Sequence, residues 1–256
     1  MNDFEPLGAE LRERGSSWHG PIHYTLETGS TNSDARTAAK AGAPAGSIWI
    51  TEHQTSGRGR QGRVWHSSVG ENLLFSLLLR PQVQANRMPP VTLAVGLGVL
   101  RSLSHLLGAE TLGIKWPNDV VTRSDLRKVA GILVESTVSD GTVDALIVGV
   151  GINVNQVDFQ EPIRSRATSL AALGGHTFGR CDVLANILRH VETCIDGVVT
   201  GGLRAFSHEL ARADVLLGKE VTSGTSTGVA SGISPNGGLL LNTAAGMAEI
   251  GSGEVV

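Results

Sequence analysis

The segment from Gly57 to Arg63 reads GRGRQGR, with three guanidinium groups, Arg58, Arg60 and Arg63, set among Gly57, Gly59 and Gly62. Guanidinium forks bind carboxylate and phosphate oxygens in pairs, and glycine lets a backbone approach a ligand, so the pattern suits a loop that folds over an anion. A second stretch, KWPND, gathers Lys115, Trp116, Pro117, Asn118 and Asp119. It offers a cation for phosphate, an indole to stack or pack, an amide, and an acid that can face a metal or an amine. A turn around a buried tryptophan is its plain structural alternative. A third, RKVAGILVE, sets Lys128 just ahead of an apolar strand, and a fourth, GVGINVN, places Gly149 and Gly151 for close backbone approach with Asn153 beside them. The chain has four lysines, Lys40, Lys115, Lys128 and Lys219, against 17 arginines, so two lysines in these stretches argue against a random solvated role for both.

The first six letters of GRGRQGR match the dinucleotide pattern G-x-G-x-x-G, which requires a strand before it and a helix N-terminus after it. The context is wrong for that reading. VWHSSVGENLLFSLLL follows, a turn and then a strand, and apolar Leu77 stands where an acidic ribose ligand belongs.

The elements that must hold these groups are legible in outline. IHYTLE alternates like a strand, and STNSD, rich in capping residues, opens a helix over 32–41 that Gly42 closes. SIWITE (47–52) and NLLFSLLLR (72–80) read as strands, so the cationic loop lies in a strand-to-strand connection. PPVTLAVGLGVLRSLSHLLG (89–108) starts on prolines and is apolar nearly all round, which predicts a buried helix. Three strands follow, LGIKW, VAGILVES and VDALIVGVGINV, and then a loop around residues 155–180. Val183, Ile187, Val191, Cys194 and Val198 form the stripe of a further helix, and a weaker one covers about 203–212. From residue 215 the chain turns into short β segments with the Asn-Gly signal of a tight hairpin in PNGG (235–238), which predicts a main unit over 1–214 and a small β unit over 215–256.

With 256 residues and a formal charge of -3, the chain is long enough for a sizeable core and too acidic to coat nucleic acid or a membrane. The apolar run from Met88 to Leu100 is shorter than the ~20 residues of a membrane span, and the polar N-terminus lacks a signal peptide's pattern, so a cytoplasmic protein is expected. Cys181 and Cys194 fit reduced core thiols. HGPIH spaces His19 and His23 four apart, but its glycine and proline break the helix a shared metal would need, and no metal site is expected. His53 and His66 flank the cationic loop and suit local hydrogen bonding.

Taken together and in order, GSTN (29–32), EHQTSGRGRQGRVW (52–65), KWPND (115–119), KVAGILVE (128–135) and GVGINVN (149–155) resemble the biotin protein ligases from about residue 22 to 155, as does the small β unit at the C-terminus. The resemblance implies an α/β (α+β) fold of the class II synthetase-like biotin/lipoate type, with a mixed, largely antiparallel sheet, flanking helices and a C-terminal SH3-like β-barrel. It implies activation of biotin with MgATP to biotinyl-5′-AMP, then transfer to a lysine on the biotin carboxyl carrier domain of an acetyl-CoA or related acyl-CoA carboxylase.

By motif position, the resemblance places Ser30, Thr31, Asn32, Gln54, Gly57, Arg58, Gly59 and Arg60 at biotin, with Lys128, Gly131 and Gly149, and it expects the loop to be mobile when empty. Arg63, Trp65, Lys115, Asn118 and Asn153 serve the nucleotide, Trp65 at the adenine side. Lys128, Arg58 and Lys115 supply catalytic charge, and Asp119 orients or deprotonates the acceptor lysine. Biotin's carboxylate is itself the nucleophile, so the protein must chiefly position two anions and neutralise charge.

Two departures stand out. VVTRSDLR, between Asp119 and Lys128, is slightly longer than in compact members, and the 29 residues ahead of Ser30 are too few for the winged helix-turn-helix of bifunctional members, so DNA-binding repression is not expected. A lipoate ligase or related acyltransferase is the alternative within the fold; an octanoyl transferase would need a cysteine near the site, and Cys181 and Cys194 lie in a distal helix. A nucleic-acid module built on the loop is disfavoured by the net charge and by Trp65 being the lone aromatic beside it. Monomer and homodimer both remain open.

Overall fold

The computed structural model describes residues 2–81, 83–85 and 89–255. Among them, seven strands form one sheet in the order β1-β2-β3-β7-β6-β5-β4: β1 (Ile22–Thr28), β2 (Ile48–Gln54), β3 (Leu73–Leu79), β4 (Leu112–Lys115), β5 (Asp119–Thr122), β6 (Lys128–Ser139) and β7 (Thr142–Ile152). β1 and β2 run parallel and the other neighbours antiparallel, so the mixed, largely antiparallel sheet is as expected.

Period-two alternation divides β2 and β3 between two cores. Ile48, Ile50, Leu73, Phe75 and Leu77 face the larger core, which holds α3 (Pro89–Leu107) and α5 (Arg180–Gly201). Those helices cross closely: a Cβ on Gly98 would stand 2.6 Å from Val191 Cα. Trp49, Leu78, Ala145 and Ile147 face the other side, where Ala35 and Ala39 of α2 (Thr31–Lys40) cover them. α3 has a stretch, Pro90–Leu107, long and apolar enough to cross a membrane, where the shorter run read from the sequence was not. Two-thirds of it (67%) is buried, which marks the core helix of a folded domain; Met88, where that run began, lies outside the described residues.

Three elements escape the sequence reading: α1 (Leu7–Glu13), α4 (Leu170–Gly174) inside the expected loop, and β5. The first three residues of VVTRSDLR are thus strand, and the rest turns through Leu126 at a φ of 59°. After α6 (Ser207–Ala213), β8 (Glu220–Ser223), β9 (Ser226–Ile233), β10 (Leu239–Thr243) and β11 (Gly246–Ile250) form a four-stranded antiparallel sheet. PNGG forms the tight β9–β10 turn, with Gly237 at a φ of 85° and Ser234 Oγ accepting from the amides of Asn236 and Gly238. The sheet is joined to the larger one where Val215 N donates to Ile114 O (3.0 Å) and Trp116 Nε1 to Gly237 O (2.9 Å).

Candidate active site

Strand register lays out the floor of the site in two adjacent rows. In one, Ser76 on β3 pairs with Gly149 on β7, and Gly149 with Leu133 on β6. In the other, Leu74 pairs with Gly151, Gly151 with Gly131, Gly131 with Asp119 on β5, and Asp119 with Lys115 on β4. Register partners, and residues two apart along a strand, share a face. The glycines therefore form a bare strip with Asp119 and Lys115 continuing it, on the side that α2 covers.

α2 delivers its first turn to one end of this strip. Ser30 is extended (φ -166°) ahead of the helix, and the free N–H of Thr31 donates to Gln54 Oε1 at 2.9 Å, a side-chain cap brought from β2. Asn32 is buried, and Ser76 Oγ sits 2.7 Å from Thr31 Oγ1 and 2.6 Å from Asn32 Oδ1. A Cβ on Gly149 would collide with Asn32 Oδ1 and lie 2.8 Å from its Cγ, so glycine there is what admits this amide.

The cationic segment folds back on itself as a small hairpin. Arg58 bridges Val64, Gly59 N donates to Arg63 O (2.7 Å), and Trp65 N to Gly57 O (3.0 Å), the reversal passing through Gln61 and Gly62 at φ of 55° and 75°. Trp65 then lies flat on the strip: Cβ atoms on Gly151 and Gly131 would stand 2.6 Å and 2.9 Å from its ring carbons. Lys128 Nζ is 5.3 Å from the indole centroid and 2.7 Å from Asp119 Oδ1, in an ion pair that lacks hydrogen-bond alignment. Partial burial pulls the Arg60 guanidinium below its ordinary value, and the nearby Asp119 carboxylate opposes that shift. Arg63 pairs with Glu254 from the C-terminal tail.

The site residues expected from the sequence fall into four groups, one of them Gly59 and Arg63 in the hairpin, where Arg63 is taken up by Glu254. Ser30, Thr31, Asn32, Gln54, Gly57, Arg58 and Gly149 meet around the start of α2, and Trp65, Lys128, Asp119, Lys115, Gly131 and Arg60 meet around the second row. Asn118 and Asn153 are fasteners: Asn118 Nδ2 donates to Ile132 O (2.8 Å), and the 3% exposed Asn153 donates to the carbonyls of Lys128 and Thr168. Trp116, read as stacking or packing, is 2% exposed and packs. His53 pairs locally with Glu27 at 3.0 Å. Among the described residues no three His, Cys, Asp or Glu converge as metal ligands, and two clefts, of about 320 and 210 Å³, lie on the β1–α2 side and between α6 and the C-terminal sheet. Sequence reading missed Ser33, Ser76 and Glu135, which touch Arg58 or Asn32; the alternation of β3 and β6 was the one available signal for the latter two.

Residues 28–153 match the Biotin/lipoate A/B protein ligase family and residues 216–256 the Biotin protein ligase C terminal domain. The biotin--[acetyl-CoA-carboxylase] ligase of Paracoccus denitrificans is 33% identical over 240 residues, spanning 89% of this chain and 97% of that protein. Its Mycobacterium tuberculosis namesake is 37% identical over 198 residues, 75% and 70% of the two chains. The biotin protein ligase of Aquifex aeolicus, solved in complex with biotin and ATP, superposes with a TM-score of 0.78 at 33% identity, covering 92% of this chain and 97% of that one. The chain, with the bare glycine strip, the arginine hairpin above it and the fold that carries them, belongs to the biotin protein ligase family.

Proposed function

We propose that this ligase activates biotin with MgATP and passes the biotinyl group to a lysine on the biotin carboxyl carrier domain of an acetyl-CoA or related acyl-CoA carboxylase. In the first step a biotin carboxylate oxygen attacks the α-phosphorus, the bond to the β-phosphate bridging oxygen breaks, and pyrophosphate leaves with magnesium. In the second the acceptor amine attacks the acyl carbon, loses a proton, and AMP departs. Neither step needs a protein nucleophile. The first step requires two anions held together with their charge offset, and the observation that carries the reading is the placing of Arg58 at the α2 end, and of Arg60, Lys128 and Lys115 along the second row, of a strip whose own strands raise no side chain at Gly131, Gly149 and Gly151.

On this reading Ser30, Thr31, Asn32, Gln54, Gly57 and Gly149 line the biotin end, with Gly59 and Gly131 admitting the ligand beneath the hairpin. Arg58, Arg60 and Lys128 face the carboxylate and the transferred phosphoryl group. Lys115 and Arg63 serve the other phosphates, Trp65 packs at the adenine side, and Asn118 and Asn153 hold the strand ends of the nucleotide half. Asp119, now paired with Lys128, turns to the acceptor lysine. Residues 1–214 act as the catalytic unit and 215–256 as its β appendage, in the cytoplasm. The test is incubation with biotin, labelled ATP and a carrier domain. Biotin-dependent adenylate and label on the carrier are expected; adenylate formed from lipoate and not from biotin would overturn the proposal.

A further inference from the structure

Glu135 lies on β6 four residues beyond Gly131, on the site face, with its side chain 26% exposed. Two donors bond its carboxylate and a third stands just off it. Asn32 Nδ2 donates to Oε2 at 2.7 Å and Arg36 Nη2 to Oε1 at 2.6 Å, while Arg58 Nη2 stands 3.6 Å from Oε2 and donates instead to Ser33 Oγ at 3.1 Å. The two arginines are thus held unequally. Arg36 has a charge-assisted hydrogen bond, whereas Arg58 is beyond hydrogen-bond reach of the carboxylate. Two guanidinium groups around one carboxylate leave one positive charge over, and geometry assigns it to Arg58, whose side chain is 40% exposed beside the strip.

Asn32 is fixed from the same carboxylate. Its Nδ2 also donates to Leu133 O (3.2 Å), and its Oδ1 takes Ser76 Oγ, so Glu135 completes the contacts that orient the amide. We propose that Glu135 is a positioning residue for substrate capture: it orients Asn32 and parks Arg58 near the site without neutralising it, so that an incoming carboxylate takes the arginine while Arg36 keeps Glu135 occupied. This rests on the ligase reading above.

The experiment measures biotin-dependent adenylate formation and pyrophosphate exchange for the parent chain, Glu135→Gln, Glu135→Ala, Arg36→Ala and the double variant Arg36→Ala/Glu135→Ala, with melting temperature beside each. Glu135→Ala is expected to raise the KM for biotin about tenfold, the factor that one charge-assisted hydrogen bond supplies, with the KM for ATP within about twofold. Glu135→Gln, which still accepts from Asn32, should fall between it and the parent. Arg36→Ala should also raise the biotin KM, because Arg58 then has Glu135 to itself, and the double variant should be no worse than Glu135→Ala alone. A merely structural role would lower the melting temperature and the active fraction without separating the two KM values. If Glu135→Ala does not fold, Glu135→Gln and Arg36→Ala decide. Biotin KM values of the Glu135 variants within twofold of the parent, or a double variant equal to the product of the singles, overturn the inference. A parent chain that forms no biotin-dependent adenylate overturns the ligase reading itself and this inference with it.

Discussion

Gly151→Ala isolates the contact between the glycine strip and Trp65. The added Cβ would stand 2.6 Å from Trp65 Cε2, 2.7 Å from Cζ2 and 3.0 Å from Cδ2. Carbon atoms settle at about 3.5–4.0 Å, so the indole must retreat by roughly 1 Å. β7 cannot yield in its place, since Gly151 is registered against Leu74 on one side and Gly131 on the other. The indole lifts instead, and the hairpin moves with it, because Trp65 N is bonded to Gly57 O. The way out is toward solvent, which keeps the stability cost near the lower end of overpacking, about 1 kcal/mol. The catalytic cost is larger, because displacing positioning groups by ~1 Å costs on the order of 10²-fold in rate. Pyrophosphate exchange gives kcat/KM for ATP, and acrylamide quenching follows the ring. Trp18, Trp49 and Trp116 are 7%, 8% and 2% exposed, so added quenching reports on Trp65. Gly251→Ala, where a Cβ meets nothing within 4 Å, is the control. Parental kcat/KM together with parental quenching in Gly151→Ala would refute the reasoning.

Lys128→Ala removes the cation between Asp119 and the indole and should lower adenylate formation on the order of 10²-fold or more at an unchanged far-UV spectrum; a loss under tenfold would remove Lys128 from the catalytic set. Arg180 and Glu52 form a buried pair, each side chain 7% exposed, so Glu52→Ala should destabilise by about 3 kcal/mol in urea, the lower end for an orphaned buried charge because Asp3 still accepts from Arg180. Burial pushes the Cys181 thiol up to about 12 and the Cys194 thiol to about 11, so a thiol-directed disulfide reagent at neutral pH should label neither in the folded protein and both in denaturant. Burial likewise raises the Asp214 carboxyl above its ordinary 3.8, so its contribution to stability is complete below the unfolded value and is lost as pH rises through the folded one. Asp214→Asn retains an acceptor for Leu216 N–H, and its melting temperature should gain on the parent as pH rises above 3.8; a gap independent of pH would count against this.

The site was legible where its chemistry is local in sequence. Arg58, Arg60 and Arg63 fall within seven residues, and KWPND and RKVAGILVE carry their charges in short runs, so residue type and spacing suffice. What escaped depends on register across strands. Glu135 reads as the polar end of an apolar strand until pairing brings β6 beside β7 and α2 over both, when its carboxylate meets Asn32, Arg36 and Arg58. Ser76, in the middle of a seven-residue strand buried throughout, is likewise invisible until it finds Thr31 and Asn32. KWPND was legible as chemistry and only partly as structure. Its tryptophan is committed to the C-terminal sheet through Gly237, and its aspartate opens β5, a short strand that no run of alternating residues announces.

The glycines are better read through their register than through G-x-G-x-x-G. In the hairpin they serve reversal and close backbone packing, and another loop of similar conformation could do the same. Gly131, Gly149 and Gly151 sit in the interiors of long paired strands, where glycine costs about 0.5–1 kcal/mol relative to alanine, or roughly 1.5–3 kcal/mol for the three. At each an added Cβ would strike Asn32, Lys128 or Trp65. A fold free to optimise stability would place β-branched residues at such positions, as the same strands do at Val129, Ile132, Val148 and Val150 facing the core. The stability forgone on one face of β6 and β7 is therefore a local measure of the space the site requires, and the arginines above it have to come from a loop because side chains rising from the strip would fill that space.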